Sequence, residues 1–250
     1  MWICIAGVLA FPCSVLAEGN HYGWDKYPGQ DTSISGGVTV GETTVPFDIQ
    51  ILATDWVRNV DPVTGEAIYS WSLSAPYNIM NGNEVIGTID SLGFEVDFDP
   101  YVRLNFAVTA GAADTTFVLN SSVVSFPTII NPLAYATAGL TLTGGTNGAA
   151  VTGLYAGKNY EAIYNGTSVF GDLINSFTTG RTTTTVNDVT PLYTDWATIT
   201  GAVSSIQSQY KFTLSALDSA SGTSHFEIMI PEPATMAMLG LGGLLLARRK

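Results

Sequence analysis

The 250-residue chain has 26 glycines, 11 prolines, only 12% charged residues, two histidines and two cysteines. Three of its nine basic residues close the chain as Arg248, Arg249 and Lys250, so the stretch from Glu18 to Ile230 holds 20 acidic against 6 basic residues, a balance of −14. Such a body offers no basic face to nucleic acid or to an anionic membrane surface, and its wealth of Thr, Val, Ser, aromatic and turn-forming residues points to many short strands rather than helices.

In chain order, an apolar run from Ile3 leads to Val15 and Ala17 just before Glu18, the small residues at −3 and −1 that signal peptidase accepts. Residues 1–17 are therefore expected to be a secretory signal. No Lys or Arg precedes the run, unlike the usual export signal, and the competing reading is a buried N-terminal strand. Both cysteines, Cys4 and Cys13, fall in this segment, so the mature chain has none and no disulfide supports it. Cys13 lacks the preceding small residue of a lipoprotein signal. Residues 18–32 mix polar, aromatic and Gly-Pro positions and read as an N-terminal arm.

Strand signals follow. Phe47, Ile49 and Ile51 alternate with Asp48 and Gln50, and Tyr69, Trp71 and Leu73 with Ser70 and Ser72, which is the period of two of half-buried strands. Phe94, Val96 and Phe98 alternate with Glu95, Asp97 and Asp99; after a turn at Asp99-Pro100, Val102, Leu104, Phe106 and Val108 alternate in their turn. Further strands are expected at 116–119, 123–126, 140–142, 160–164, 182–186, 210–214 and 226–230, with the run Gly144-Gly145-Thr146-Asn147-Gly148 as a loop. Residues 202–209 read as one short helix and the Thr-rich stretch 178–185 as a hinge. Thr54-Asp55-Trp56 recurs as Thr194-Asp195-Trp196, a hint of two related sheets. About ten to twelve strands predict one all-β domain over residues 33–230, an antiparallel β-sandwich with a jelly-roll-like arrangement as a variant.

Chemistry is sparse. His21 and His225 are the only histidines, there is no His-x-x-x-His spacing, no cysteine beyond Cys13 and no Gly-x-Ser-x-Gly, so zinc, thiol and serine-nucleophile chemistry lack their usual residue sets. The acidic row Glu95, Asp97 and Asp99 reads first as the solvated face of a strand, second as part of a calcium shell with Asp90 or Asp114, and third as a carboxylate pair for glycoside cleavage. Trp24, Trp56, Trp71 and Trp196, with Tyr22, Tyr69, Tyr155, Tyr160 and Tyr164, are either core packing or a sugar-stacking platform, and packing is favoured. Asn120-Ser121-Ser122 and Asn165-Gly166-Thr167 are formal glycosylation sequons.

The chain ends with Pro231, Glu232 and Pro233, then 14 uncharged residues at 234–247, then Arg248, Arg249 and Lys250. The two prolines keep the triplet extended and accessible. As a helix the apolar run spans about 21 Å, short of the roughly 30 Å hydrocarbon core, which suits transient membrane insertion, and the basic end stays on the cytoplasmic side. This order of parts resembles the PEP-CTERM sorting signal. The resemblance implies export, processing at 231–250 by an exosortase-type enzyme, and retention at the cell surface or in an exopolysaccharide matrix, with Pro231, Glu232, Pro233, Arg248 and Arg249 as the sorting motif.

Together these features predict a non-catalytic exported protein with a structural or adhesive role and no cofactor beyond a structural calcium. The alternatives are a carbohydrate-binding module with that calcium, and a glycoside hydrolase.

Overall fold

In the computed structural model, which describes residues 32–60, 67–97, 100–192 and 196–229, strands account for nearly every alternating run. The first part of the chain forms β1 (Thr32–Val40), β2 (Thr43–Ile51), β3 (Val57–Val60), β4 (Ala67–Ser72), β5 (Tyr77–Asn81), β6 (Glu84–Asp97), β7 (Tyr101–Ala110), β8 (Thr115–Asn120) and β9 (Val124–Ile130). The second part forms β10 (Leu133–Thr143), β11 (Ala149–Gly153), β12 (Lys158–Tyr164), β13 (Ser168–Asn175), β14 (Phe177–Thr179), β15 (Thr183–Thr190), β16 (Ala197–Thr198), β17 (Ala202–Leu214) and β18 (Ser219–Met229). A 3-10 turn spans Ala53–Asp55.

The strands pair antiparallel into two nine-stranded sheets. The first runs β13-β12-β17-β8-β1-β2, with β9, β11 and β14 alongside; the second runs β15-β10-β18-β7-β6-β4-β3, with β16 and β5 alongside. The chain passes repeatedly from one sheet to the other, as in jelly-roll-like sandwiches. Their inner faces make the core. In β17, Ile206, Ser208, Tyr210, Phe212 and Leu214 are buried while Gln207, Gln209, Lys211 and Thr213 face outward, and β7 and β18 bury Leu104, Phe106, Val108, Phe226 and Ile228 against them. Each large apolar side chain among these contributes on the order of 1.5–3 kcal/mol by leaving water.

At the centre the two sheets interlock. The Phe106 ring lies 4.8 Å from Tyr210, edge-on at 71°, and 5.9 Å from Phe212, while Tyr160 lies 4.9 Å from Tyr210. Tyr210 also crosses the core: its hydroxyl donates to the backbone carbonyls of Thr223 on β18 (2.6 Å) and Gly139 on β10 (3.2 Å). Gly222 leaves room for the Phe106 ring, since a Cβ there would sit 2.5 Å from two of its carbons.

Several expectations need correction. Residues 202–209 are not a helix but the first part of β17. The described strands number eighteen rather than ten to twelve, because β1, β3, β5, β11, β13, β14 and β16 carry little apolar alternation. The Thr-rich stretch is no hinge between domains: β14 belongs to the first sheet and β15 to the second, and Thr179 bonds Thr182 and Thr184 across the connection. The repeated tripeptide does not mark one copy per sheet, since Trp56 and Trp196 both precede strands of the second sheet, β3 and β16.

Removing the Tyr210 hydroxyl while keeping its ring tests the crossing bond. Tyr210→Phe leaves two buried carbonyls without this donor and is expected to lose about 1–3 kcal/mol, a fall of several degrees in melting temperature. Gly222→Ala should lose more, because Phe106 is held by Tyr210 on one side and Phe212 on the other. Thermal unfolding followed by circular dichroism reads both, and an unchanged Tyr210→Phe melt means the bond carries no stability.

Candidate functional site

Glu95 and Asp97 of the acidic row lie on the second sheet, where the β6-β7 hairpin sets Glu95 opposite Arg103 and Asp97 opposite Tyr101. Glu95 Oε1 accepts from the Tyr101 hydroxyl at 2.7 Å and from Arg103 Nη1 at 2.7 Å. On the neighbouring β18, His225 stands opposite Arg103, its Nε2 2.9 Å from Glu227 Oε2 and its ring 4.9 Å from that of Tyr101. Burial, and then the hydrogen bond to Glu95, push the Tyr101 hydroxyl's pKa far above its ordinary value. Asp97 is buried at 6% exposure, and Asp99 lies outside the described residues. Glu95 and Asp97 thus lie in a half-buried network. A cation here competes with Arg103 for Glu95, and no group of three or more His, Cys, Asp or Glu arranged to hold a metal occurs among the described residues. Asp90 accepts from Thr109, and Asp114 accepts from the backbone of Ala216, both away from the row.

The aromatic residues divide between core and periphery. Tyr69 and Tyr160 are buried, Trp71 and Tyr164 pack against the core, Trp56 tilts at 54° on Phe94, and Trp196 tilts at 45° on Tyr135. No exposed stacked pair of tryptophans or tyrosines occurs among the described residues, so the coplanar platform of a stacking sugar site is not formed by them. Tyr155 donates to Gln209 Oε1 at 3.2 Å. His21, Tyr22, Trp24, the signal segment 1–17 and the sorting residues Pro231, Glu232, Pro233, Arg248 and Arg249 lie outside the described residues.

The outer face of the first sheet holds what the sequence reading missed. Strands β8 and β9 run in one direction along β17 as a single interrupted strand: Asn120 pairs with Gln209, Val124 pairs with Ile206, and residues 121–123 leave the ladder between them. The interruption opens a groove of about 410 Å³ whose walls include Ser33 and Ser35 of β1, Gln50 of β2, Ser122 and Gln207. Gln209 Nε2 donates to Gln207 Oε1 (2.9 Å), and Gln207 Nε2 donates to the Ser121 carbonyl (2.7 Å), so a line of amides leads from Tyr155 into the groove. Of the two sequons, the first straddles this break; the Asn165 side chain of the second is committed to the backbone of Ala202 and Ser204. Farther along the same face Glu161 of β12 stands directly opposite Asp172 of β13. Its pKa is raised, first by burial and then by repulsion from Asp172, with Lys211 partly offsetting both.

That pair makes stability depend on pH in a definite direction. A carboxyl whose pKa is higher in the folded than in the unfolded state favours unfolding once ionised, so stability declines as pH rises from the ordinary glutamate range through the raised value. Glu161→Gln is therefore expected to raise the melting temperature at neutral pH, with the gain disappearing near pH 4. Melting curves of both proteins across this range check it; an equal gain at every pH assigns the effect to packing instead.

No curated protein matches the chain. Among solved structures the chain is similar to one in "Structure of infectious bursal disease virus Gx strain", at 14% identity and a TM-score of 0.28, over 82% of this chain and 53% of that one. It therefore spans about half the length of that chain. A second likeness, to "Crystal structure of infectious bursal disease virus VP2 subviral particle", has 9% identity and a TM-score of 0.10 over 88% of this chain and 87% of that one. Overlays this loose carry no argument about fold or role. Among the described residues no helix is long and apolar enough to cross a membrane, and the apolar run at 234–247 lies outside them. The specific match is at the end of the chain: residues 230–250 fit the family described as the PEP-CTERM protein-sorting motif, a signal that implies export and processing by an exosortase.

Proposed function

We propose that the protein is a non-catalytic, structural or adhesive β-sandwich, presented at the cell surface or in the extracellular matrix after an exosortase-type enzyme acts on residues 231–250. The observation that carries this reading is the sorting motif matched at 230–250 on an all-β body. The body suits display without further chemistry. It has no cysteine beyond Cys13, so its folding outside the cell needs no disulfide. Strand β18, third from one end of the main strand path of its sheet, ends at Met229, directly before the motif, and the Ile228 amide is held by the Pro100 carbonyl at 2.9 Å. The sandwich is thereby complete before the signal begins, and the short apolar run with its basic end can sit in the membrane while the body lies outside. In this reading neutral exopolysaccharide is the matrix neighbour, since a body with a balance of −14 repels anionic surfaces.

Deleting residues 231–250 leaves every described strand intact and should move the protein from the cell-associated fraction into the medium. Fractionation of cells expressing either form, followed by immunoblotting, checks this. A truncated form that stays cell-associated as strongly as the full chain overturns the anchoring role.

A further inference from the structure

The groove at the β8-β9 break points to a ligand of definite chemistry. Its walls are hydroxyls and carboxamides: Ser33, Ser35, Gln50, Ser122 and Gln207, with Val123 at the rim and no charged or aromatic side chain in the lining. Such a lining has nothing to neutralise a phosphate, sulfate or carboxylate and little apolar surface to attract a lipid. It does offer paired donors and acceptors, because a carboxamide supplies both and a hydroxyl turns to supply either. Part of this set is fixed in place: the Gln207 amide is held by Ser121 and Gln209, Ser121 is buried and receives the Ser208 amide at 3.0 Å, and Thr32 and Ser122 bond each other through their hydroxyls. Ser33, Ser35 and Gln50 remain open on the β1-β2 side, their side chains in no hydrogen bond among the described residues. A rigid wall therefore faces one whose side chains are bonded only to solvent and are free to turn toward a ligand. The groove is shallow and open to solvent, a shape that takes one face of a sugar unit along a polymer rather than enclosing a small molecule.

We infer that this groove binds a sugar unit of a neutral polysaccharide, through hydrogen bonds from Ser35, Gln50 and Gln207 rather than through aromatic stacking. The charge of the body argues for the same occupant: at −14 it disfavours polyanions, and an uncharged polyol loses nothing by approaching it. This assigns a location and a chemistry to the adhesive role proposed above and rests on that reading. The binding test is independent of the sorting test, since binding is read in solution and anchoring in cells.

The test is affinity electrophoresis of the full chain, kept soluble in a polyoxyethylene detergent that presents no sugar. Gels contain dextran, hydroxyethylcellulose or galactomannan as neutral polymers, and alginate or polygalacturonate as anionic ones. Retardation is expected in at least one neutral gel and in neither anionic gel. Ser35→Ala with Gln50→Ala should weaken it about tenfold, as the loss of two modest hydrogen bonds requires, with an unchanged melting temperature. Thr141→Ala with Thr185→Ala, which removes a hydroxyl pair 2.9 Å apart on the outer face of the other sheet, should leave binding as it was. Failure of every neutral polymer to retard the protein overturns the inference. So does undiminished binding by the Ser35, Gln50 variant, or equal weakening by both double variants, which places the contact elsewhere.

Discussion

The Tyr210 hydroxyl, reaching from the middle of the first sheet to two backbone carbonyls of the second, fixes how the sheets face each other. A ring packed on rings can slide, but a hydrogen bond from its tip to the carbonyls of Thr223 and Gly139 cannot follow a shift without being broken in the buried core. The bond therefore sets the phase of β17 relative to β18 and β10. That phase decides the outer face as much as the inner one, because in a strand a slip of one residue exchanges the two faces. With Tyr210 and Phe212 held inward, Gln207, Gln209 and Lys211 are held outward, and they contribute the wall of the groove and the charge beside Glu161. The polar surface inherits its order from the core.

The same coupling explains what could be read from the sequence. Where apolar residues occupy every second position, as in β2, β4, β7 and the second half of β18, the strand and its buried face are visible without a structure. The start of β17 is not, for a local reason: its register shifts between Val203 and Ser205, so the inward residues Val203 and Ile206 fall three apart, a helical spacing produced by a bulge. In β1 the pair Gly36-Gly37 interrupts the apolar alternation. Gly36 is instead an inner strand position, where a Cβ would meet the Phe47 ring at 2.6 Å and the Val118 carbonyl at 1.9 Å. Missing these two segments hid the groove, which both of them line.

The acidic row was seen but its environment was not. Glu95 and Arg103 are eight residues apart, and an in-register hairpin around Pro100 brings them face to face, an inference the alternation on both sides of that turn permits. His225 and Glu227 come from a strand more than a hundred residues later, and only the sheet order places them beside Tyr101. Pairing across sequence neighbours is legible; neighbourhood set by topology is not. The Glu161–Asp172 opposition sits between these cases, since the turn at Asn165-Gly166 closes the β12-β13 hairpin while a bulge at Ala162/Ile163 sets which residues meet.

A sandwich must also avoid joining its neighbours through open strand edges. The outer strands here carry different obstacles. In β2, Pro46 removes one ladder donor and Asp48 adds charge; β3 has four residues with Arg58 among them; β13 is bent by the bulge in its pairing; and β15 turns the Asp188 carboxylate back to cap the Ile174 amide at 3.0 Å and to pair with Lys158. Each device works against edge-to-edge pairing without adding a disulfide or a helix. What remains available for recognition is then not the edges but the two outer faces. Of these, the second sheet's face carries hydroxyl pairs already bonded to each other, Thr141 with Thr185 and Thr109 with Ser219, beside the closed Glu95 network. The first sheet's face carries such pairs too, Thr39 with Thr44 and Thr116 with Thr213, and differs in the break between β8 and β9, which sets Ser33, Ser35 and Gln50 beside the fixed Gln207 amide.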